Sequence, residues 1–258
     1  MSNIAIRKQQ FIPWLLPLAL LIIWHIFTTG IFAQNTRFIA PLTVFSTALD
    51  LIKSGELLES VVISTQRAFL GFLIGGSIGL ILGLINGISR YSELFLDSTI
   101  QMMRTIPHLA LVPLVILWFG IAEPAKLILI VLGVFFPIYL NTFHGIRSID
   151  PGLIEMGKVY KLTKIELFKH IILPGALPSI LVGIRYSLGI MWLTLIVAET
   201  VAADSGIGYL AMQGREFMQM DIIVLAILIY ALLGKLSDSI AKFLEKRWLQ
   251  WHPNFMKN

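Results

Sequence analysis

Long apolar runs constrain this chain more than any other feature of its sequence. Charged residues bound six stretches that are mainly hydrophobic. These stretches lie near residues 11–29, 63–89, 105–121, 126–143, 178–200 and 221–241. A helix needs about 20 residues to cross the roughly 30 Å hydrocarbon core of a bilayer. A helix also satisfies its own backbone hydrogen bonds, as lipid requires. The pattern therefore predicts an all-α, polytopic membrane protein with about six transmembrane helices.

Composition agrees with a membrane protein and excludes several classes of function. Of the 258 residues, 57% are hydrophobic and only 14% are charged. The absence of cysteine excludes disulfides, thiolate metal sites and cysteine nucleophiles. The five histidines form no HExxH metal-binding pattern. The sequence also shows no set of nucleophile, base and orienting group that would form a hydrolase site. We therefore expect no metal site, no cofactor and no catalytic residue.

The distribution of Lys and Arg predicts the orientation in the membrane. With the N-terminus in the cytoplasm, few of the 20 Lys and Arg residues lie outside. The outer ones are Arg37, Lys53, Lys126 and Arg215, and Arg67, Arg185 and Lys235 lie at span edges. Because cytoplasmic loops carry the excess of positive charge, both termini are expected in the cytoplasm. The predicted organisation is an N-terminal segment 1–10, a transmembrane domain 11–241 and a tail 242–258.

The same rule explains the net charge of +5 without nucleic-acid binding. The basic N-terminus and the apolar run after it also fit a secretory signal sequence, but the further apolar runs favour an uncleaved first span. The outer segment 30–62 contains the mildly amphipathic stretch PLTVFSTALDLIKSGELLES. It is interpreted either as a short helix along the membrane face or as a plain connector.

Glycines recur at every fourth position of the second predicted span. They are Gly71, Gly75, Gly79, Gly83 and Gly87. Residues spaced by four lie on one helical face, where glycine lets a neighbouring backbone approach closely. We interpret this face as a helix-packing surface, which a transporter can also use as a sliding contact.

The predicted cytoplasmic loop, 144–177, contains two helix starts. Asp150 is a candidate N-cap with Pro151 in the first turn, which predicts a helix over 152–160. Gly152 and Gly157-Lys158 have part of the spacing of a P-loop, but Val159 replaces the hydroxyl residue that binds magnesium. We therefore predict no nucleotide binding.

A second helix is expected to begin at Thr163-Lys164-Ile165-Glu166, which fits a capping box. Pro174 is expected to end it. Apolar residues at three- and four-residue spacing, Ile165, Phe168 and Ile171 or Ile172, are expected to form its packed face.

The stretch EMGKVYKLTKIELFKHIILPGALPSI resembles the EAA loop of ABC importer permeases. Glu155 stands at the glutamate position and Leu173-Pro174 at the ending, whereas Met156 and Gly157 replace the two alanines. Lys161 stands where the family has glycine, so a left-handed turn there is expected to be less accessible. In that family the loop docks on a separate ATPase subunit and transmits its closure to the spans. The resemblance implies ATPase docking by Glu155, Met156, Gly157, Lys158, Lys161, Leu173 and Pro174.

Other stretches are similar to one branch of that family. RTIPHLALVPLVILWFGIAEPAKLILI resembles the third-span motif of sulfonate, nitrate and taurine permeases, with His108 in place of a proline. GIRYSLGIMWLTLIVAET, SGIGYLAMQGREFMQMD and EKRWLQWHP are most similar to aliphatic sulfonate permeases. The resemblance implies a permease homodimer in the bacterial inner membrane with a type I importer core. It also implies ATPase subunits, an outer solute-binding protein and aliphatic sulfonate as substrate, with taurine or nitrate as alternatives. The segments 30–62 and 201–220 are candidate contacts of the binding protein.

Five residues are candidates for the translocation path. Pro107 and Pro113 remove backbone donors and either shape the third span or expose carbonyl groups to a cavity. Arg185, inside the fifth span, either extends its charge to the cytoplasmic surface or, like Arg104, offers it to an anion. Glu199 is expected to shape the outer mouth or to pair locally. No intramembrane carboxylate pair is expected, which gives ion-coupled secondary transport little support.

Overall fold

The computed structural model describes residues 15–31 and 38–251, and every regular element within them is helical. We number the helices α1 (Leu15–Gly30), α2 (Pro41–Lys53), α3 (Glu56–Ile88), α4 (Arg90–Thr105), α5 (His108–Phe119), α6 (Glu123–Arg147), α7 (Pro151–Val159), α8 (Lys164–Ala202), α9 (Ile207–Glu216) and α10 (Met220–Trp248). The prediction of an all-α fold is confirmed. The predicted segment 1–10, the start of the first span, Arg37 and the end of the tail lie outside the described residues.

Four helices, α3, α6, α8 and α10, are long and apolar enough to cross a membrane. α4 and α5 together form a fifth candidate, and α1 is apolar but shorter within the described residues. The described part of the chain therefore contains four or five candidate spans, and it does not establish the predicted number of six.

The third span predicted over 105–121 is a bent pair of helices, and the bend lies at Pro107, one of the two prolines expected to shape this span. α4 begins at Arg90, and α5 continues after it at an angle of 79°. The break lies at Ile106 and Pro107, whose backbones are extended. A residue before proline avoids helical angles, and proline donates no N–H, so the helix cannot continue through this pair. Pro113 lies in the first turn of the regular helix Val112–Phe119, where its missing N–H has no intrahelical partner to lose.

The five glycines of α3 lie where α3 meets α6. A Cβ atom added at Gly75 would lie 2.6 Å from the carbonyl oxygen of Val131, and one at Gly79 would lie 2.6 Å from that of Phe135. At Gly71, Gly83 and Gly87 it would meet the side chains of Ile130, Thr142 and Ile146. The two backbones are therefore in direct contact, as small residues permit in membrane helices.

α6 lies between α3 and α8 and forms the centre of the subunit. On its other side, a Cβ atom at Gly183 of α8 would lie 3.0 Å from the carbonyl oxygen of Pro137. Buried apolar residues of α3, α6, α8, α9 and α10 form one core cluster. α2 is a helix, so this part of segment 30–62 is not a plain connector, and its position along the membrane face stays a prediction. Thr47 Oγ1 of α2 donates to Asp221 of α10 at 2.6 Å.

Candidate functional site

The short helix α7 is capped at its start as predicted. The carboxylate of Asp150 accepts a hydrogen bond from the Gly152 N–H at 2.8 Å, and Pro151 occupies the first turn. Such a cap satisfies one of the free amides of a helix start and contributes about 1 kcal/mol. The beginning of α7 is therefore determined by its local sequence.

The end of α7 is a left-handed turn at Lys161. The φ angle of Lys161 is 57°, and the Leu162 N–H donates to the Gly157 carbonyl at 3.0 Å. The Lys161 N–H donates to the Lys158 carbonyl at 2.9 Å, which completes a Schellman motif. The residue that replaces the family glycine thus adopts the glycine-like conformation, at a cost of about 1 kcal/mol.

α8 begins with the predicted capping box. The Glu166 N–H donates to Thr163 Oγ1 at 3.3 Å, and the Thr163 N–H donates to the Glu166 carboxylate at 2.8 Å. This prediction is confirmed.

The prediction that Pro174 ends this helix is wrong. Phe168–Ile172 form a π-helical turn, and Leu173 and Pro174 start regular helix that continues to Ala202. Proline has no N–H to donate to the preceding turn. The wider π turn just before Pro174 changes the hydrogen-bond pattern there, so the helix can continue through the proline. The docking loop and the following span are therefore parts of one continuous helix.

Gly157 packs α7 onto this helix. A Cβ atom at Gly157 would lie 2.6 Å from Leu167 Cδ1 and 2.8 Å from Ile171 Cδ1. Of the predicted packed face, Ile171 lies in this contact, whereas Ile165 is exposed. Gly157 is thus an internal packing residue, and only a residue without a side chain fits there.

The opposite face of α7 is exposed. It carries Glu155, Met156 and Lys158, and the exposed Val159, Tyr160 and Lys161 follow. Within the described residues, Glu155 forms no ion pair. Leu173 is exposed and Pro174 half-buried on the adjoining part of α8. The structure therefore places most of the predicted docking residues on one accessible surface.

A buried charge cluster lies at the other end of the subunit. α6 has 25 residues and is about 37 Å long, so its first turn lies far from its last turn and from α7. At this end Glu199 of α8 is completely buried. Its carboxylate accepts hydrogen bonds from Ser64 Oγ, Arg67 Nη1, the Gly208 N–H and Tyr230 Oη at 2.8–2.9 Å. Of the two roles expected for Glu199, the structure shows local pairing, because its carboxylate lies inside the subunit and is bound by neighbouring groups.

Arg67 connects Glu199 to a second carboxylate. Its Nε and Nη2 atoms donate to Glu123 at 2.8 and 2.5 Å, and Lys126 Nζ lies 2.7 Å from the same carboxylate. Glu123 and Glu199 thus share one guanidinium, although Glu123 is 53% exposed at the first residue of α6. Lys126, counted as an outer loop cation, is buried.

Sequence reasoning missed this cluster, although one signal was present. Arg67 and Glu199 each interrupt an apolar run, and antiparallel spans bring these positions to the same end of the bundle. An isolated charge among apolar helices needs a partner, so two such charges at one depth predict a pair. Only the structure shows how close the loop at 205–208 comes: a Cβ atom at Gly206 would lie 2.5 Å from Glu199 Oε1.

Arg185 and Arg104 differ in their surroundings. Arg185 Nε donates to Asp238 at 2.7 Å, and Arg185 Nη1 lies 3.7 Å from Glu245, so both partners belong to α10. A groove of about 480 Å³ lies beside this pair and is lined by apolar residues such as Leu193. Arg104, in the last turn of α4, is exposed and forms no ion pair within residues 15–31 and 38–251.

His108 lies next to the break between α4 and α5. Its Nε2 atom is 3.0 Å from Thr194 Oγ1 of α8, and both lie against Gly133 of α6. The histidine that replaces the branch proline therefore connects α5 to the central helices. Pro107, at the break itself, is exposed.

Comparison with known proteins agrees with this architecture. Residues 75–250 match the family described as binding-protein-dependent transport system inner membrane component. The chain is 56% identical over 244 residues to the protein named as an aliphatic sulfonates transport permease, SsuC, of Escherichia coli (strain K12), covering 94% of this chain and 92% of that protein. It is 45% identical over 241 residues to the SsuC protein of Bacillus subtilis (strain 168), covering 93% of this chain and 87% of that protein.

A solved structure shares the fold. The crystal structure of an amino acid ABC transporter with histidines matches with a TM-score of 0.64 at 20% identity, covering 77% of this chain and 97% of that chain. The family match covers more than half of this chain, and the two relatives are similar over almost all of it. The chain therefore belongs to the family of binding-protein-dependent transport system inner membrane components.

Proposed function

We propose that this chain is the permease subunit of an ATP-driven importer of aliphatic sulfonates. The observation that carries the proposal is 56% identity, over 94% of the chain, with a protein named as an aliphatic sulfonates transport permease. The apolar helices α3, α6, α8 and α10 supply the membrane-spanning part that a permease requires. Taurine or nitrate transport by the same class of permease is the alternative.

The exposed face of α7 docks on a separate ATPase subunit in this proposal. Three features support it. Hydrogen-bonded caps fix both ends of α7, Gly157 packs it against α8, and α8 continues without a break into the membrane. A displacement of α7 by a closing ATPase is therefore passed directly to the span that contains Arg185 and Glu199.

The complete transporter contains two copies of this chain, two ATPase subunits and an outer solute-binding protein. The family description names binding-protein dependence and the inner membrane, which supports an outer partner. Both termini lie in the cytoplasm, in accordance with the Lys and Arg distribution. The segments 30–62 and 201–220 contact the binding protein in this proposal, which the position of α2 and α9 at the end of the subunit opposite α7 supports.

Uptake into vesicles tests the proposal. Vesicles carrying this chain, its ATPase and its binding protein should accumulate a labelled alkanesulfonate only when ATP is supplied. Glu155→Arg, which reverses a charge on the docking face, should assemble and fail to transport. The control is Asp50→Arg in α2, the same reversal at an exposed position far from α7. Because α2 belongs to the segment proposed to contact the binding protein, the two variants are compared by ATP hydrolysis without binding protein, which Asp50→Arg should leave unchanged and Glu155→Arg should alter.

The outcomes separate the parts of the proposal. Equal uptake by Glu155→Arg and the unchanged chain would refute docking through α7. Uptake of taurine or nitrate in place of alkanesulfonate would refute only the proposed substrate and leave the class of transporter intact. Uptake that persists without ATP and stops when the ion gradient is dissipated would show a secondary transporter.

A further inference from the structure

Three N–H donor atoms converge on the carboxylate of Glu123. Arg67 presents Nε and Nη2 at 2.8 and 2.5 Å, and Lys126 presents Nζ at 2.7 Å. A guanidinium that offers two parallel donors binds planar carboxylates and tetrahedral oxyanions with the same fork. The position of the Glu123 carboxylate is therefore also a position for a sulfonate group.

The cations lie beneath the carboxylate and not beside it at the surface. Arg67 and Lys126 are 5% and 3% exposed, whereas Glu123 is 53% exposed and the nearby Asp204 is 90% exposed. Glu123 is the first residue of α6, so its side chain borders the loop before that helix. It can rotate towards solvent without a movement of α6.

The guanidinium of Arg67 keeps its place without Glu123. Its Nη1 atom donates to Glu199 at 2.8 Å and to the Ser205 carbonyl at 2.6 Å, and Nη2 donates to Ser205 Oγ at 2.9 Å. Glu199 lies on the buried side of the guanidinium, and Ser205 belongs to the half-buried loop before α9. Rotation of Glu123 would thus leave two positioned donors of Arg67 and one of Lys126 facing outwards.

We propose that Arg67 and Lys126 form an anion-binding site for the sulfonate group of the substrate, at the end of the subunit opposite α7, with Glu123 as a displaceable internal occupant. This inference rests on the proposed function for the identity of the anion. Two cations, Arg67 and Lys126, face the two carboxylates Glu123 and Glu199, and Asp204 lies 3.9 Å from Lys126. Exchange of Glu123 for a bound sulfonate therefore keeps the buried charges balanced, which burial demands.

The tethered carboxylate keeps the affinity low. A side chain attached next to the site competes at an effective concentration of roughly millimolar or more. A free sulfonate thus binds weakly and leaves readily, which suits a site that substrate passes through rather than one that stores it. Removal of Glu123 should convert the weak site into a tighter one.

The test measures anion binding and not transport. The full-length chain is purified with its ATPase partner in phosphatidylcholine nanodiscs, and its melting is followed by tryptophan fluorescence during titration with methanesulfonate at constant ionic strength in chloride. Glu123→Ala should show a saturable rise in melting temperature. The methanesulfonate concentration at the midpoint of this rise should be at least tenfold lower than for the unchanged chain.

The matched control is Asp204→Ala, which removes an exposed carboxylate near Lys126 but leaves Glu123 bound to Arg67, and it should behave like the unchanged chain. Glu123→Gln, which preserves the size of the side chain, should show the same direction of change if Glu123→Ala folds poorly.

Each outcome decides the proposal. The double variant Glu123→Ala, Lys126→Met should lose the gain in methanesulfonate affinity that Glu123→Ala shows, and this loss would support the proposal. No saturable rise in either Glu123 variant, or the same gain in Asp204→Ala, would overturn it and leave the cluster with a purely structural role. Phosphatidylglycerol in the nanodiscs should leave the titration unchanged, and abolition of the methanesulfonate effect by this lipid would assign the site to a lipid phosphate. Methanesulfonate binding by Glu123→Ala without sulfonate uptake by the complete transporter would refute the proposed substrate and leave the anion site intact.

Discussion

Arg67 of α3 donates a hydrogen bond at 2.8 Å to Glu199 of α8, 132 residues away, and both side chains are buried. Ser64 and Tyr230 donate to the same carboxylate, so α3, α8 and α10 are joined at one point. A buried ion pair stabilises little relative to an apolar pair, but an unpaired partner is costly. The cluster therefore determines which arrangement of the helix ends is stable.

Glu199→Gln should lower the free energy of unfolding by about 3–5 kcal/mol, because Arg67 loses a buried counter-charge. Tyr230→Phe removes one donor from the same carboxylate and should cost only about 1–3 kcal/mol. Thermal melting of the purified permease compares the two variants. Equal melting temperatures for Glu199→Gln and the unchanged chain would show that Arg67 does not depend on this partner.

Gly75→Ala should separate α3 from α6. The added Cβ atom would lie 2.6 Å from the Val131 carbonyl oxygen, which is backbone and cannot rotate away. Overpacking of this kind costs about 1–3 kcal/mol. The control is Gly189→Ala, because no atom lies within 4 Å of the added Cβ atom there. The melting temperature should fall for Gly75→Ala alone. An equal fall in both variants would show that replacing any glycine, and not the contact with Val131, lowers the stability.

Lys161→Gly should stabilise the turn after α7 by about 1 kcal/mol, because glycine adopts a left-handed conformation without steric cost. The measurement is hydrogen exchange of the Leu162 amide, which donates to the Gly157 carbonyl. A stabilisation of this size should slow that exchange about fivefold if exchange follows local opening. Lys158→Gly, inside α7, is the opposite control and should accelerate exchange, because glycine costs about 1 kcal/mol in a helix interior. Unchanged exchange in Lys161→Gly would mean that the lysine is not strained.

Arg185→Gln should reduce sulfonate uptake if this arginine offers its charge to the anion. Stability should change little, since Asp238 keeps a second partner, Lys242, at 2.9 Å. Half-exposed ion pairs of this type contribute about 0–1 kcal/mol. Lys242→Gln removes another partner of Asp238 and should leave uptake unchanged. Normal uptake by Arg185→Gln, with its normal dependence on sulfonate concentration, would exclude Arg185 from the translocation path.

Local signals in the sequence were sufficient for several elements. The apolar runs predicted the positions of α3, α6, α8 and α10, because the length of a membrane span is set by the bilayer and not by neighbouring helices. Asp150 and the Thr163–Glu166 box predicted the starts of α7 and α8. Their hydrogen bonds join residues two or three positions apart, so no distant contact can displace them.

The tertiary structure decided the remaining features. Pro174 lies within a continuous helix because a π turn precedes it, and Lys161 adopts a left-handed conformation because the contact of α7 with α8 fixes the turn. The sequence by itself determined the positions of α3, α6, α8 and α10 and the starts of α7 and α8. Only packing decided that Arg67 meets Glu199, because their attraction depends on a distance of a few ångströms that no spacing along the chain encodes.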